Sequence, residues 1–213
     1  SKSITTDHTL IIDKLLQSIE FYNWDSILSF LPKGSFLVGG YIRDIILGRI
    51  NSKVDVDIVV PSNGIEVGQK IANYFKVKFI ILDSDRKVVR VIFNHISIDI
   101  ATQTAPTILQ DLQSRDFSIN AIAFDFDTHK LVDPLNGIKD IELSLLKSFS
   151  NINLINDPLR ILRCFRFLSE FDFNIDDNLI NFIKKNKRQL NFVAKERINY
   201  EIQRIIRGKN ASK

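Results

Sequence analysis

The sequence predicts an α+β fold, a small mixed sheet flanked by helices and followed by an all-α section, and three observations carry that reading. Short β-branched runs alternate with helical stretches up to about residue 145. Beyond that point only helical patterns appear. The strand-forming runs therefore come first and the helices afterwards, which argues for α+β rather than a regular βαβ repeat. The expected division is residues 1–145 and 146–213.

The first helix is expected over Thr9–Glu20, with Asp7 as its cap, and a short one over Trp24–Phe30. A strand at Ser35–Val38 stops at Gly39-Gly40, where a helix over Tyr41–Leu47 begins. The strand Val54–Val60 ends at Pro61, and a helix over Gly64–Phe75 follows. Three strands come next, Val77–Leu82, Lys87–Phe93 and Ser97–Thr102. A short helix around Thr107–Gln113 precedes the segment Arg115–Ala121, and a hairpin over Ala123–Val132 turns at Asp127-Thr128. Helices over Pro158–Phe171, Asp177–Leu190 and Lys195–Arg207 close the chain.

At 213 residues, 45% hydrophobic and with 16 Phe, the chain can fill a real core. One cysteine, Cys164, excludes a disulfide framework and a cysteine zinc cluster, and fits a reducing cytoplasm. Cys164 reads as a small core residue, and His8, His95 and His129 have no metal-ligand spacing. No apolar run approaches a bilayer span and Ser1-Lys2-Ser3-Ile4 has no signal pattern, so a soluble protein with no membrane partner is expected. The net charge of +4 is uneven. Residues 157–213 hold 13 basic and 7 acidic side chains, which suits either a polyanion-binding surface or a solvated helical face.

The most informative segment is Val54-Asp55-Val56-Asp57-Ile58-Val59-Val60. Side chains at i and i+2 of a strand share a face, so Asp55 and Asp57 project side by side. Adjacent carboxylates repel and resist burial unless a cation compensates. Magnesium prefers oxygen ligands, and two such ions clamp the attacking and leaving oxygens of a phosphoryl transfer. A second ion calls for a third acid on a neighbouring strand. Asp99, in Ile96-Ser97-Ile98-Asp99-Ile100-Ala101, supplies a candidate. The alternative is that all three acids occupy solvated strand positions. Asp83 and Asp85 flank a hairpin turn and receive no catalytic role.

Leu37-Val38-Gly39-Gly40-Tyr41-Ile42-Arg43-Asp44 reads as strand, glycine turn and helix. Glycines let backbone N–H groups approach a triphosphate, a helix N-terminus favours anions, and Arg43 can complete such a site. A plain tight connection is the alternative. G-x-x-x-x-G-K-[ST] and G-x-G-x-x-G are both absent, which excludes a P-loop and argues against a dinucleotide fold.

In order along the chain, these motifs resemble the class II tRNA nucleotidyltransferase and bacterial poly(A) polymerase family of the polymerase-β-like nucleotidyltransferases. Five blocks carry the resemblance: Leu37–Asp44, Asp55–Val59, Arg115–Ala121, Asp157-Pro158-Leu159-Arg160-Ile161-Leu162-Arg163, and Glu196-Arg197-Ile198, with Asp133–Asp140 as a further match. The resemblance implies a nucleotidyltransferase head followed by a helical neck. It implies Asp55, Asp57 and Asp99 as catalytic ligands of two Mg2+ ions, with Gly39, Gly40 and Arg43 on the triphosphate. Arg115, Asp116 and Asn120 would contact phosphate and ribose, Asp157 and Arg160 would read the base, and Arg163 in the same block would add a nucleotide contact. Glu196 and Arg197 would brace the neck through an ion pair.

The implied reaction is transfer of nucleotides from CTP or ATP to the 3′ end of tRNA or another RNA, in the cytoplasm. Asp157, just before Pro158, is expected to cap its helix, and Arg160, Arg163 and Arg166 to form a basic stripe opposite Ile161, Phe165 and Leu168.

The sequence departs from the pattern at four places, the mildest being Ser118 for Thr. Asn156 replaces a Glu, Ser114 replaces the first Arg of an Arg-Arg-Asp run, and only Thr102–Gln110 separates the third-acid strand from Asp111. Longer loops at that point are implicated in the family's switch from C to A, so full CCA addition and a partial activity, CC addition or A addition, both stand as expectations. The chain ends just after the implied neck and has no Met, compatible with a trimmed chain. A poly(A) polymerase acting on general RNA and a non-catalytic RNA-binding domain of the same fold remain as rivals.

Overall fold

The computed structural model describes residues 4–22, 24–49 and 54–211. The signal-pattern reading at Ser1–Ser3 lies outside them. The chain forms α1 (His8–Phe21), α2 (Asp25–Leu28), β1 (Phe36–Val38), α3 (Gly40–Ile46), β2 (Val54–Val60), α4 (Gly64–Phe75), β3 (Lys78–Asp83), β4 (Val88–Ile92), β5 (Ile96–Thr102) and α5 (Ile108–Gln113). It continues through β6 (Ala123–Asp125), β7 (Leu131–Val132), α6 (Gly137–Glu142), β8 (Leu145–Leu146), α7 (Asn151–Asn156), α8 (Leu159–Glu170), β9 (Asn174–Ile175), α9 (Asp177–Asn186) and α10 (Lys195–Ile206). The fold is α+β, as the order of patterns predicts.

Seven strands make one sheet in the order β3-β4-β5-β2-β1-β6-β7. Its centre is the parallel pair β2–β5, while the other pairings run antiparallel. The period-2 pattern of each strand separates two faces. Val54, Val56, Ile58 and Val60 of β2 join Ile96, Ile98 and Ile100 of β5 in the main core, beneath Ile42 and Ile46 of α3 and Val67 and Ile71 of α4. The opposite face carries a small cluster, Val38, Val59, Leu112, Ala121 and Ala123, under α5. Where that cluster stops, the same face carries Asp55, Asp57 and Asp99.

Helix starts follow local chemistry. Asp7 accepts from the Leu10 N–H at 2.9 Å, and Thr107 caps α5. Asp133 accepts from the N–H groups of Gly137 and Ile138 at 2.7 and 3.0 Å, fixing the entry to α6. Asp140 of α6 then accepts from Ser118 Oγ at 2.5 Å, so the Asp133–Asp140 segment braces the turn at 118–120. A Cβ on Gly137 would lie 2.2 Å from the Ser118 carbonyl oxygen. Gly137→Ala is therefore expected to cost about 1–3 kcal/mol, because backbone must move. Thermal denaturation should show a fall of roughly 5 °C for a chain of this size; an unchanged midpoint would contradict the bracing role.

Several elements depart from the sequence reading: α6 falls where no helix is expected, and the helix expected over Asp177–Leu190 ends at Asn186 and continues as a 3-10 helix over Lys187–Phe192. The six-residue α7 precedes the expected helices, held by the Ser150 side-chain cap. A two-residue parallel pairing, Leu145↔Asn174 and Leu146↔Ile175, fastens the helical section.

Candidate active site

Strand register places the acids. Asp57 of β2 is paired with Asp99 of β5 and with Val38 of β1, and Asp55 with Ser97. Register partners share a face, so Asp55, Asp57 and Asp99 stand together on the face opposite the core. Asp55 and Asp57 open to the cleft and Asp99 is half-buried. Asp57 lines the cleft, and the partial loss of water around its carboxyl raises its pKa. Arg115 opposes that shift, and Asp99 and Asp55 reinforce it.

Asp99 is held by Arg90 of β4, its register partner, through Nε and Nη2 at 2.6 and 2.7 Å. Among the described residues, no three His, Cys, Asp or Glu side chains converge to hold one ion as they stand. Asp55 and Asp57 form the open pair, and the third acid is drawn to Arg90.

The glycine turn sits beside Asp57. Gly39 has φ +81°, a conformation that side chains with a Cβ rarely adopt. A Cβ there would lie 3.3 Å from both Arg115 Nη1 and Asp57 Oδ2. Turn, guanidinium and carboxylate thus meet around one small space. Gly40 begins α3, over the Arg43 guanidinium. Arg43 is only 8% exposed. It donates from Nη1 to Asn120 Oδ1 at 2.6 Å and from Nε to Asp44 at 3.0 Å, and it stacks on Phe171 and Phe167.

Asn120 passes the connection on, donating to Asp116 Oδ1 at 3.1 Å. Asp116, 5% exposed, also accepts from the Phe117 N–H and from Arg163 Nε at 2.8 Å. Burial alone would push the Asp116 carboxyl up; Arg163, Asn120, Arg160 and the Phe117 N–H together hold it below the usual carboxylate range. Arg43, Asn120, Asp116 and Arg163 form one chain of contacts from the glycine turn to α8.

Arg115 is braced by Asp111 at 3.3 Å, with Nη1 turned toward Gly39 and Asp57. Arg160 donates to the carbonyls of Ser114 and Asn153 at 2.9 and 3.0 Å. Burial depresses its pKa, with Asp116 and Asp157 opposing.

Two expectations for α8 are corrected. Asp157 does not cap the helix: Pro158 is the N-cap residue with no side-chain cap bond, and the Asp157 carboxylate pairs with Arg197 of α10 at 3.2 Å. The basic stripe is also incomplete. Arg166 is buried against Glu201 of α10 at 3.5 Å, whereas Phe165 is 38% exposed. The packing of α10 on α8 supplies the buried carboxylate that makes this inversion possible. Burial pushes the Arg166 pKa down to about 10.

Arg90, Asn153 and Phe171 were not singled out from the sequence. Asn153 donates to the carbonyls of Gln113 and Arg115 at 2.7 and 2.9 Å, supporting the segment that aims Arg115. For Arg90 a signal existed. Asn94-His95 is a two-residue hairpin connection, and counting back from it pairs Arg90 with Asp99.

Asp55, Asp57, the glycine turn, Arg115 and the α8 arginines line one cleft of about 1270 Å³, large enough for a nucleoside triphosphate with space over, with Arg90 rather than Asp99 on its wall.

Residues 35–106 and 102–147 match the poly A polymerase head domain, and residues 172–213 match the probable RNA and SrmB-binding site of polymerase A. The chain is 38% identical over 179 residues to a CC-adding tRNA nucleotidyltransferase of Synechocystis sp., covering 84% of this chain and 43% of that protein. It is 33% identical to a CC-adding tRNA nucleotidyltransferase of Shouchella clausii, covering 82% and 44%. The Thermotoga maritima CCA-adding enzyme complexed with tRNA superposes with a TM-score of 0.73 at 31% identity, over 83% of this chain and 44% of that one. The chain spans less than half the length of these relatives.

Proposed function

Because the chain belongs to the nucleotidyltransferase family of the poly A polymerase head domain and the tRNA CC- and CCA-adding enzymes, we propose that it adds nucleotides, specifically the two cytidines from CTP, to tRNA 3′ ends. The observation that carries this is the row of acids on one sheet face against the Gly39–Arg115 space. In this reading residues 1–145 are the head and 146–213 the neck, and the protein works in the cytoplasm. Among the described residues, no helix is long and apolar enough to cross a membrane.

The family's nucleotidyltransferases are metal-dependent. The residues present fit a hard divalent cation: the donors are carboxylate oxygens, burial and two neighbouring acids raise the Asp57 pKa, and Asp99 already holds a cationic side chain. We assign two Mg2+ ions to Asp55, Asp57 and Asp99. When bound, the ions supply charge stabilisation for the attacking 3′-hydroxyl and the triphosphate.

The remaining roles belong to the chain. The Gly39-Gly40 turn and the Arg115 guanidinium receive the triphosphate; the Gly39 N–H is donated to the Ile122 carbonyl at 3.1 Å, so within the turn Gly40 offers the backbone donor and Gly39 the close approach. The chain from Arg43 through Asn120 and Asp116 to Arg163 fixes the turn relative to α8, so its members act chiefly by positioning. Asp157 and Arg160 present acceptor and donors to the base edge, with Arg197 steadying Asp157.

CC addition is favoured over full CCA addition by the short connection after β5. Only residues 103–107 separate Thr102 from α5, and Gln103 is tied back to Val60 and Ala105. With tRNA transcripts ending at the discriminator base, at C or at CC, labelled CTP should extend the first two, and ATP should not extend the third. ATP addition at CC would contradict CC specificity, and long A-only tails on unrelated RNA would favour a poly(A) polymerase. Grafting a longer flexible loop over 103–107 should raise ATP incorporation at CC ends; unchanged nucleotide choice would count against a role for this segment.

A further inference from the structure

Arg90 has no place in the roles above, yet it makes the tightest contact in the acid row. In order across the sheet stand Ile80, Arg90, Asp99, Asp57 and Val38. The Arg90 fork takes both Asp99 oxygens, and the two side chains are 38% and 21% exposed. In such a bidentate pair both carboxylate oxygens are directed at the guanidinium, which here means away from Asp57, on the other neighbouring strand. An ordinary cross-strand ion pair would explain the contact anywhere else on a sheet. Here the carboxylate is one of three that crowd one face, the field of Arg90 reaches Asp55 and Asp57 as well, and its side chain lines the cleft.

We infer that Arg90 is a positioning residue for the third acid. It stands in for a cation on Asp99 and must release at least one carboxylate oxygen before Asp99 joins Asp55 and Asp57 on a divalent ion. The inference rests on the two-metal reading. Two consequences follow from the geometry. Without metal, Arg90 balances the third charge and relieves the repulsion among the acids. When metal arrives, the open pair Asp55 and Asp57 is available at once, whereas binding through Asp99 competes with an intramolecular guanidinium. The Asp55–Asp57 site therefore fills first and the Asp99 site last.

Mn2+ titration of the purified protein without nucleotide, followed by the electron paramagnetic resonance signal of free Mn2+, tests this apart from activity. Arg90→Met should tighten Mn2+ binding about tenfold, as expected for loss of a charge-assisted competitor. Arg90→Lys keeps the charge without the fork and should give a smaller gain, about threefold, which decides the matter if the Met variant does not fold. Arg86→Met, which removes an exposed cation of the same cleft that does not touch Asp99, should change affinity by less than about twofold.

The gain from Arg90→Met should also vanish in an Asp99→Asn background. An equal gain from Arg86→Met, a gain that persists without Asp99, or no gain at all would each overturn the inference. Asp57→Asn separates the two levels of the argument. If that variant binds Mn2+ as tightly as the natural chain, the metal reading itself has failed, whatever Arg90 does.

Discussion

Asp57→Asn is expected to reduce nucleotide transfer by on the order of 10^3 or more while leaving the fold intact. The side chain keeps its shape and loses only its charge. If the carboxylate anchors divalent ions, several kcal/mol of transition-state stabilisation go with it, and each 1.36 kcal/mol is tenfold in rate. Stability should not suffer, because Asp57 is open to the cleft, and there Asp55 and Asp99 repel its charge while Arg115 offsets only part of the rise in its pKa. The check is CTP incorporation at saturating magnesium beside a thermal melt without divalent ions. Unimpaired transfer would remove the enzyme reading and favour the non-catalytic RNA-binding alternative. Lost transfer together with a collapsed melt would show Asp57 to be a structural residue.

Asp116→Asn should do the reverse, acting first on stability. Asp116 joins the 115–121 segment to α8 through Arg163, with N···O distances down to 2.6 Å. Removing one member of a fully buried pair costs about 3–5 kcal/mol. Arg163 is 36% exposed and water can take up part of its freed charge, so a discounted cost of about 2–3 kcal/mol is expected. That corresponds to a fall in melting temperature of roughly 5–10 °C for a chain of this length.

The sign with pH follows from the lowered pKa. A carboxyl depressed in the folded state contributes fully above its unfolded value of about 3.9, and that contribution is lost as pH falls through the folded value. The stability gap between natural chain and variant should therefore be full at neutral pH and shrink in acid below that range. Urea unfolding at pH 7 and near pH 3 measures it; a gap independent of pH would mean that the Asp116 charge does not contribute. Transfer should also weaken, through loss of the hold on Asn120 and Arg43 rather than through a lost substrate contact.

The parts of this fold that local alternation dictates were legible in advance. Val54–Val60 reads as a strand with one apolar face, which placed Asp55 and Asp57 side by side, and Ile96, Ile98 and Ile100 did the same for Asp99. Gly39-Gly40 marked the strand-to-helix turn because a positive φ is needed there. What was not legible depends on partners distant in sequence. Asp157 looks like a cap beside Pro158, but Arg197, 40 residues on, claims its carboxylate. Arg166 looks solvent-facing until Glu201 is packed against it. Helix α7 has six residues, three of them Asn, which are weak helix formers. Asp157 directly before Pro158 gives no signal that a helix has just ended there rather than one being about to begin. The β8–β9 pairing joins residues 29 apart through two residues on each side, too short to leave a pattern.

The central claim is that the acid row and the glycine turn together form the seat of a metal-bound triphosphate. Crystals grown with Mn2+ and a non-hydrolysable CTP analogue, measured at the manganese edge, test it most directly. The account predicts anomalous density between the Asp55 and Asp57 carboxylates, with the triphosphate against Gly39, Gly40 and Arg115. Manganese bound away from Asp55 and Asp57, or a nucleotide seated outside this cleft, would contradict it.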